Sequence, residues 1–167
     1  MGVRMQRIYV FSGPCGCGKT TLATAFAAQH DAPVCLIHGD DFQAGLITPE
    51  AAEGPAWPDV LRFNWACILA NARAALHLGV DVVIDYIVED ELPLLQALAR
   101  ETGAALHYTV LTADEATLRH RLTSRGDAWL IDRALVLKAK LEAMPENQGR
   151  LLDVTGMTTQ YILRNLP

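Results

Sequence analysis

Five short apolar runs rich in β-branched residues recur along the chain: 7–13 (RIYVFSG), 33–40 (PVCLIHGD), 80–88 (VDVVIDYIV), 105–113 (ALHYTVLTA) and the weaker 150–156 (RLLDVTG). Stretches with helical period separate them, so the pattern predicts strands alternating with helices. Within the runs, VCLI and VVI are continuous rather than alternating, as expected of strands covered on both faces. A parallel sheet with helices on either side follows, an α/β fold.

Punctuation residues sharpen the helices. Gly79 and Gly103 stand where helix C-caps are expected. Thr112-Ala-Asp-Glu115 has the spacing of a capping box, which predicts a helix from Ala113 with Leu118 and Leu122 on one face. The next helix carries Leu130, Ala134, Leu137, Leu141 and Met144 at apolar positions and ends at Pro145. Over 59–78 the stripe Leu61, Trp65, Ile68, Ala72 and Leu76 makes Trp65 a core residue sooner than a ligand platform. Only 44–58 lacks a period and reads as a loop.

Composition narrows the class. At 167 residues, 51% of them hydrophobic, residues 1–167 form one domain large enough to bury a core. Cys15, Cys17, Cys35 and Cys67 do not make a paired metal or disulfide pattern, and MGVRMQR lacks the apolar centre of a signal peptide. A reduced, cytoplasmic protein is expected, with Cys15 and Cys17 filling a loop rather than holding zinc. No run is long enough for a membrane span, and a net charge of −5 argues against a nucleic-acid partner. The expected partner is a small molecule, and the expected assembly a monomer or homodimer.

The first strand leads into SGPCGCGKT, which fits G-x-x-x-x-G-K-[ST] over residues 13–20. Chance produces that pattern in on the order of one chain in a hundred of this length, and a strand before it and a helix after it make chance rarer still. Successive N–H groups of such a loop point inward as an anion nest, and the helix N-terminus adds partial positive charge. Gly13, Pro14, Cys15, Gly16, Cys17, Gly18, Lys19, Thr20 and Thr21 are therefore the expected phosphate-binding residues. Lys19 would reach the β- and γ-phosphates, and the Thr20 hydroxyl would take a Mg²⁺ position. The dinucleotide spacing G-x-G-x-x-G is absent, so a nicotinamide cofactor is not expected.

Carboxylates at two further strand ends suit phosphoryl transfer. Asp40 and Asp41 follow the second predicted strand, where one could accept a hydroxyl proton and the other hold a metal-bound water. If the backbone there is still extended, Asp41 points away from Asp40. Asp85 closes the third strand in a position suited to Mg²⁺ held through water. Arg121 and Arg125 lie four apart on the helix after the fourth strand, and a guanidinium there could meet charge on the transferred phosphate. Pairing with Asp114, Glu115 and Asp127 on a solvated face is the competing reading.

With those residues in place, the chain resembles the small P-loop kinases of metabolites, the group of gluconate kinase, shikimate kinase, adenylylsulfate kinase and chloramphenicol phosphotransferase. The phosphate loop at 13–20, Gly39-Asp40, LRHRLTSRG at 118–126 and Leu141-Glu142-x-x-Pro145 fall in the order of gluconate kinases, from residue 7 to about 154. The resemblance implies a three-layer αβα fold, a parallel sheet in the order 2-3-1-4-5, a helical lid at about 114–140 and a substrate region at about 42–78. It implies ATP and Mg²⁺, with Asp40 at the acceptor hydroxyl, Arg121 on the adenine face and Arg125 in the lid over the phosphates. Lys19, Asp40 and Arg125 are then the expected catalytic residues, and Thr20, Asp41 and Asp85 the expected metal contacts. Where gluconate kinases have His-Phe after the lid arginine, Ala128-Trp129 stands here. Phe42-Gln43-Ala44-Gly45 replaces their arginine-rich segment after Gly-Asp. These departures bear on the acceptor, a sugar acid, polyol or antibiotic, more than on the kinase class. Asp40, Phe42, Arg62 and Asn64 are the expected acceptor contacts.

Overall fold

A computed structural model describes residues 4–166. Five strands, β1 (Arg7–Ser12), β2 (Val34–His38), β3 (Asp81–Asp85), β4 (Ala105–Thr112) and β5 (Leu151–Asp153), pair in parallel in the order β2-β3-β1-β4-β5. The seven helices among the described residues are α1 (Lys19–Ala28), α2 (Asp40–Ala44), α3 (Trp57–His77), α4 (Leu92–Thr102), α5 (Glu115–Ser124), α6 (Ile131–Ala143) and α7 (Thr159–Arg164). None of them is long and apolar enough to cross a membrane.

Successive side chains of a strand point to opposite faces, and here both faces are covered. Val82 and Ile84 join Ile8, Val10, Ile68, Leu95 and Leu98 in one core under α3 and α4. Val83, between them, packs with Phe11, Leu22, Leu111, Leu118 and Ile162 in a second core under α1, α5 and α7. Every residue of β3 is buried, which explains why its sequence runs apolar without alternation. The stripe of the third helix behaves likewise, with Trp65, Ile68, Ala72 and Leu76 buried.

Two local expectations are corrected. Thr112 does not cap α5: it is the last residue of β4, its hydroxyl donates to Glu142 Oε1 at 2.5 Å, and Asp114 is the N-cap, accepting from the Thr117 amide at 2.7 Å. The helix thus starts two residues later than Ala113, because β4 keeps Thr112 in its ladder with β5. The backbone at Asp40 and Asp41 is not extended either, since β2 ends at His38 and both aspartates stand in the first turn of α2.

At the end of the sheet opposite the phosphate loop, Asp81 ties three segments together. Its side chain is 0% exposed, and it accepts from the Arg7 amide at 2.9 Å, Arg7 Nε at 3.1 Å and Arg4 at 2.5 Å, with His30 Nε2 at 2.8 Å. Burial opposes its charge, but the hydrogen bonds from His30, the Arg7 amide and Arg4 outweigh burial and hold the carboxyl below its ordinary range. We expect Asp81→Asn to cost about 3 kcal/mol in denaturant unfolding at neutral pH, at the low end for a broken buried pair because both arginines still touch water. A lowered folded-state pKa gives stability that is full above the ordinary carboxylate range and lost as pH falls through the lowered value. The difference between wild type and variant should therefore shrink on acidification.

Candidate active site

The phosphate loop leaves β1 through a passage with no room for a side chain. Gly13 has φ +141°, and a β-carbon there would lie 2.3 Å from the Leu111 carbonyl oxygen and 2.8 Å from Cys17 Sγ. Cys17 is buried beneath the loop, and burial pushes its thiol up, so it packs as a small neutral side chain. Gly18, in the left-handed region, is the N-cap of α1, whose first turn carries no acidic residue to cancel its positive end. Lys19 Nζ donates to the Pro14 carbonyl at 3.2 Å. From α5, an Arg121 Nη donates to the carbonyls of Cys17 at 3.1 Å and Gly16 at 3.4 Å, so this guanidinium braces the loop from outside.

The ends of β2 and β3 meet beside the loop. His38 and Asp85 are register partners, with His38 Nδ1 at 2.9 Å from Asp85 Oδ2, and the Gly39 amide donates to the Asp85 carbonyl at 3.0 Å. A β-carbon on Gly39 would lie 2.3 Å from the Tyr86 ring, so only glycine lets the chain turn here into α2. Asp40 then opens onto a cavity that Lys19 also lines. The cavity walls desolvate the Asp40 carboxyl and push it above its ordinary range; Lys19 pulls it down, while Asp85 and Asp41 push it further up.

Two cavities flank the loop. One, of about 550 Å³, is lined by Gly16, Cys17, Gly18, Thr21, Arg121, Arg125, His120 and apolar side chains from α1, β4, the segment after β5 and α7. The other, of about 800 Å³, is lined by Cys15, Lys19, Asp40, Gln43, Trp57, Trp65, Tyr86, Glu89, Glu91, Trp129 and Arg133 among others. The predicted site residues divide between them. Arg125 lies with Arg121 on the smaller cavity, paired to Asp127 at 2.6 Å. Thr20 and Asp41 are exposed at the starts of α1 and α2 and line neither.

Three expected acceptor contacts stand elsewhere. Phe42 packs against the core under α3. Arg62 is exposed and paired with Asp59, one turn before it on α3. Asn64 is buried behind the cavity wall, where its Nδ2 donates to Gln43 Oε1 at 2.9 Å and to the Tyr86 hydroxyl at 2.8 Å, while its Oδ1 has no partner. Asn64 positions Gln43 and Tyr86, which do line the cavity. The wall residues absent from the sequence expectations include Trp57, Trp129, Gln43, Tyr86, Glu89, Glu91 and Arg133. The indoles at 57 and 129 are exposed in spite of their size, a property that only the structure shows.

Fold and loop together define a P-loop kinase-like domain. Residues 8–151 match the family model described as an AAA domain, and the chain belongs to that family. A candidate kinase of Chloroflexus aurantiacus superposes with a TM-score of 0.72 at 20% identity, covering 96% of either chain. The tunicamycin resistance protein of Deinococcus radiodurans gives 0.68 at 18% identity, over 96% of this chain and 93% of its own. A gluconokinase of Sinorhizobium meliloti gives 0.60 at 19% identity, over 96% and 89%. At such identities the likeness is one of fold. No curated protein matches the chain.

Arg121 supplies a test of the loop geometry. Arg121→Ala removes two charge-assisted bonds to loop carbonyls and should weaken ATP binding about tenfold in calorimetry, with the circular dichroism spectrum unchanged.

Proposed function

We propose that the protein transfers the γ-phosphoryl group of ATP, with Mg²⁺, to a hydroxyl of a small polar molecule. The observation that carries this reading is the partition made by the phosphate loop, with Lys19 and Asp40 on one cavity and the Arg121-braced backbone on the other. The smaller cavity suits the nucleoside and the larger one the acceptor. The kinase names among the structural neighbours support the reaction class.

Each residue has a role that its place supports. Loop amides and the N-terminus of α1 hold the phosphates, and Lys19 turns from the Pro14 carbonyl to the phosphate chain. Asp40 accepts the proton of the acceptor hydroxyl or orients its oxygen for in-line attack. The α5–α6 segment serves as a lid, with Arg125 closing toward the phosphates. Among the described residues no three His, Cys, Asp or Glu side chains are grouped to hold a metal, and a P-loop metal needs no such group. The Thr20 hydroxyl and Asp85, whose Oδ2 is held by His38, are the donors that would hold Mg²⁺, directly and through water. When bound, it would neutralise charge on the transferred phosphate.

Acceptor-stimulated ADP release, screened over polyols, sugars, antibiotics and nucleosides, tests the reading; no stimulation by any acceptor would leave a nucleotide-binding module in its place. Lys19→Ala should lower turnover about a hundredfold or more while the fold stays intact. Asp40→Asn should keep ATP affinity and lose roughly two to four orders of magnitude in acceptor-dependent turnover. Because the Asp40 carboxyl is raised and must be ionised to take the proton, kcat/KM of the wild type should fall on acidification at a pH above the ordinary carboxylate range. That limb should vanish in Asp40→Asn.

A further inference from the structure

The chain has three tryptophans, and all three line the larger cavity. Trp65 is buried and meets Tyr86 edge to face at 5.5 Å between centroids, which fixes part of the wall. Trp57, at the start of α3, and Trp129, in the short turn between α5 and α6, are 53% and 78% exposed. They come from segments 72 residues apart in sequence, by the difference of their numbers, yet face one space. Isolated exposed indoles are ordinary; two that converge on a cavity beside a buried third make a surface for a flat apolar group.

The charges on the same walls set the ligand's own charge. Three carboxylates, Asp40, Glu89 and Glu91, face two cations, Lys19 and Arg133. Arg133 donates to Glu89 at 2.7 Å, and Lys140 reaches Glu89 from outside at 2.9 Å. Lys19 belongs to the phosphate loop. Among the described lining residues no cation is left for a carboxylate or phosphate on the acceptor, and an anion placed beside Asp40 and Glu91 would stand uncompensated. Gln43 gives its oxygen to Asn64, so its amide hydrogens remain for an uncharged oxygen of the ligand.

We propose that the larger cavity takes a hydroxyl compound that carries an aromatic ring or similarly flat apolar face and no net negative charge. The ring rests against Trp57 and Trp129, and the hydroxyl turns to Asp40. This rests on the phosphoryl-transfer reading and narrows its acceptor, setting sugar acids aside.

Four probes separate ring from charge: glucose, phenyl glucoside, glucuronate and phenyl glucuronide, titrated against the full chain by tryptophan fluorescence and by calorimetry. Phenyl glucoside should bind about tenfold tighter than glucose and about tenfold tighter than phenyl glucuronide. In the Trp57→Ala, Trp129→Ala double variant the first preference should disappear and the second persist. Both indoles are exposed, so the fold does not depend on them, and the wild-type ranking stands without the variant. Glucuronides bound as tightly as glucosides, or no gain from the phenyl group, overturn the proposal. ADP release measured with the same probes keeps the two readings apart. Transfer to glucuronate in preference to the glucosides leaves phosphoryl transfer standing and overturns the acceptor class. The predicted binding order with no acceptor-stimulated ADP release from any compound does the reverse.

Discussion

One carbonyl oxygen limits where the phosphate loop can run. Leu111 O occupies the space that a side chain at position 13 would need, and β1 is held beside β4 by a ladder that pairs Ser12 with Val110. The chain can therefore leave β1 only as glycine at that point, and it folds back over Cys17 before entering α1. The strand that sets this limit also launches α5, whose Arg121 returns to the loop from outside. Loop shape, helix direction and the brace thus descend from the pairing of two central strands, which is why the loop is built before any ligand arrives.

The two ends of β3 show how environment assigns a role to one residue type. Asp81 and Asp85 bracket three apolar residues on a single buried strand. At one end Asp81 is saturated by arginines, a histidine and a backbone amide, and its work is to hold segments together. At the other, Asp85 has one side-chain partner, His38, and sits beside the loop that faces the cavities. Nothing within the strand distinguishes them; what differs is which neighbours the parallel order brings to each end.

Strand and helix order was legible because continuous apolar runs and glycine stops are local signals, and the phosphate loop because its spacing is nearly self-sufficient. The cap of α5 was misplaced because Thr112 has a better offer from Glu142, a residue 30 positions away. Whether the backbone is still extended at Asp40 and Asp41 was left open by the sequence, because the turn at Gly39 is fitted to the Tyr86 ring, a contact between neighbouring strands that no local pattern records. Asn64 shows the limit of helical period. Its position off the apolar stripe implied an outward face, but the fold covers that face with α2 and buries the amide against Gln43. The tryptophans escaped for the complementary reason. Trp57 lies near the end of the stretch without period, where α3 in fact begins, and Trp129 lies in a turn between two helices, so only the tertiary arrangement brings them to one cavity.

The phosphate loop is a wall common to both cavities, with Cys15 and Lys19 turned to one side and Gly16, Cys17, Gly18 and Thr21 to the other. A displacement of that wall on filling either space would change the shape of the second. Affinities on the two sides would then be thermodynamically linked, and whatever factor one occupant applied to the other's dissociation constant would be returned in equal measure. The loop would in this sense be a partition and a transmitter at once: with both spaces filled, the molecule would register the pair of ligands as a property that neither of them has alone.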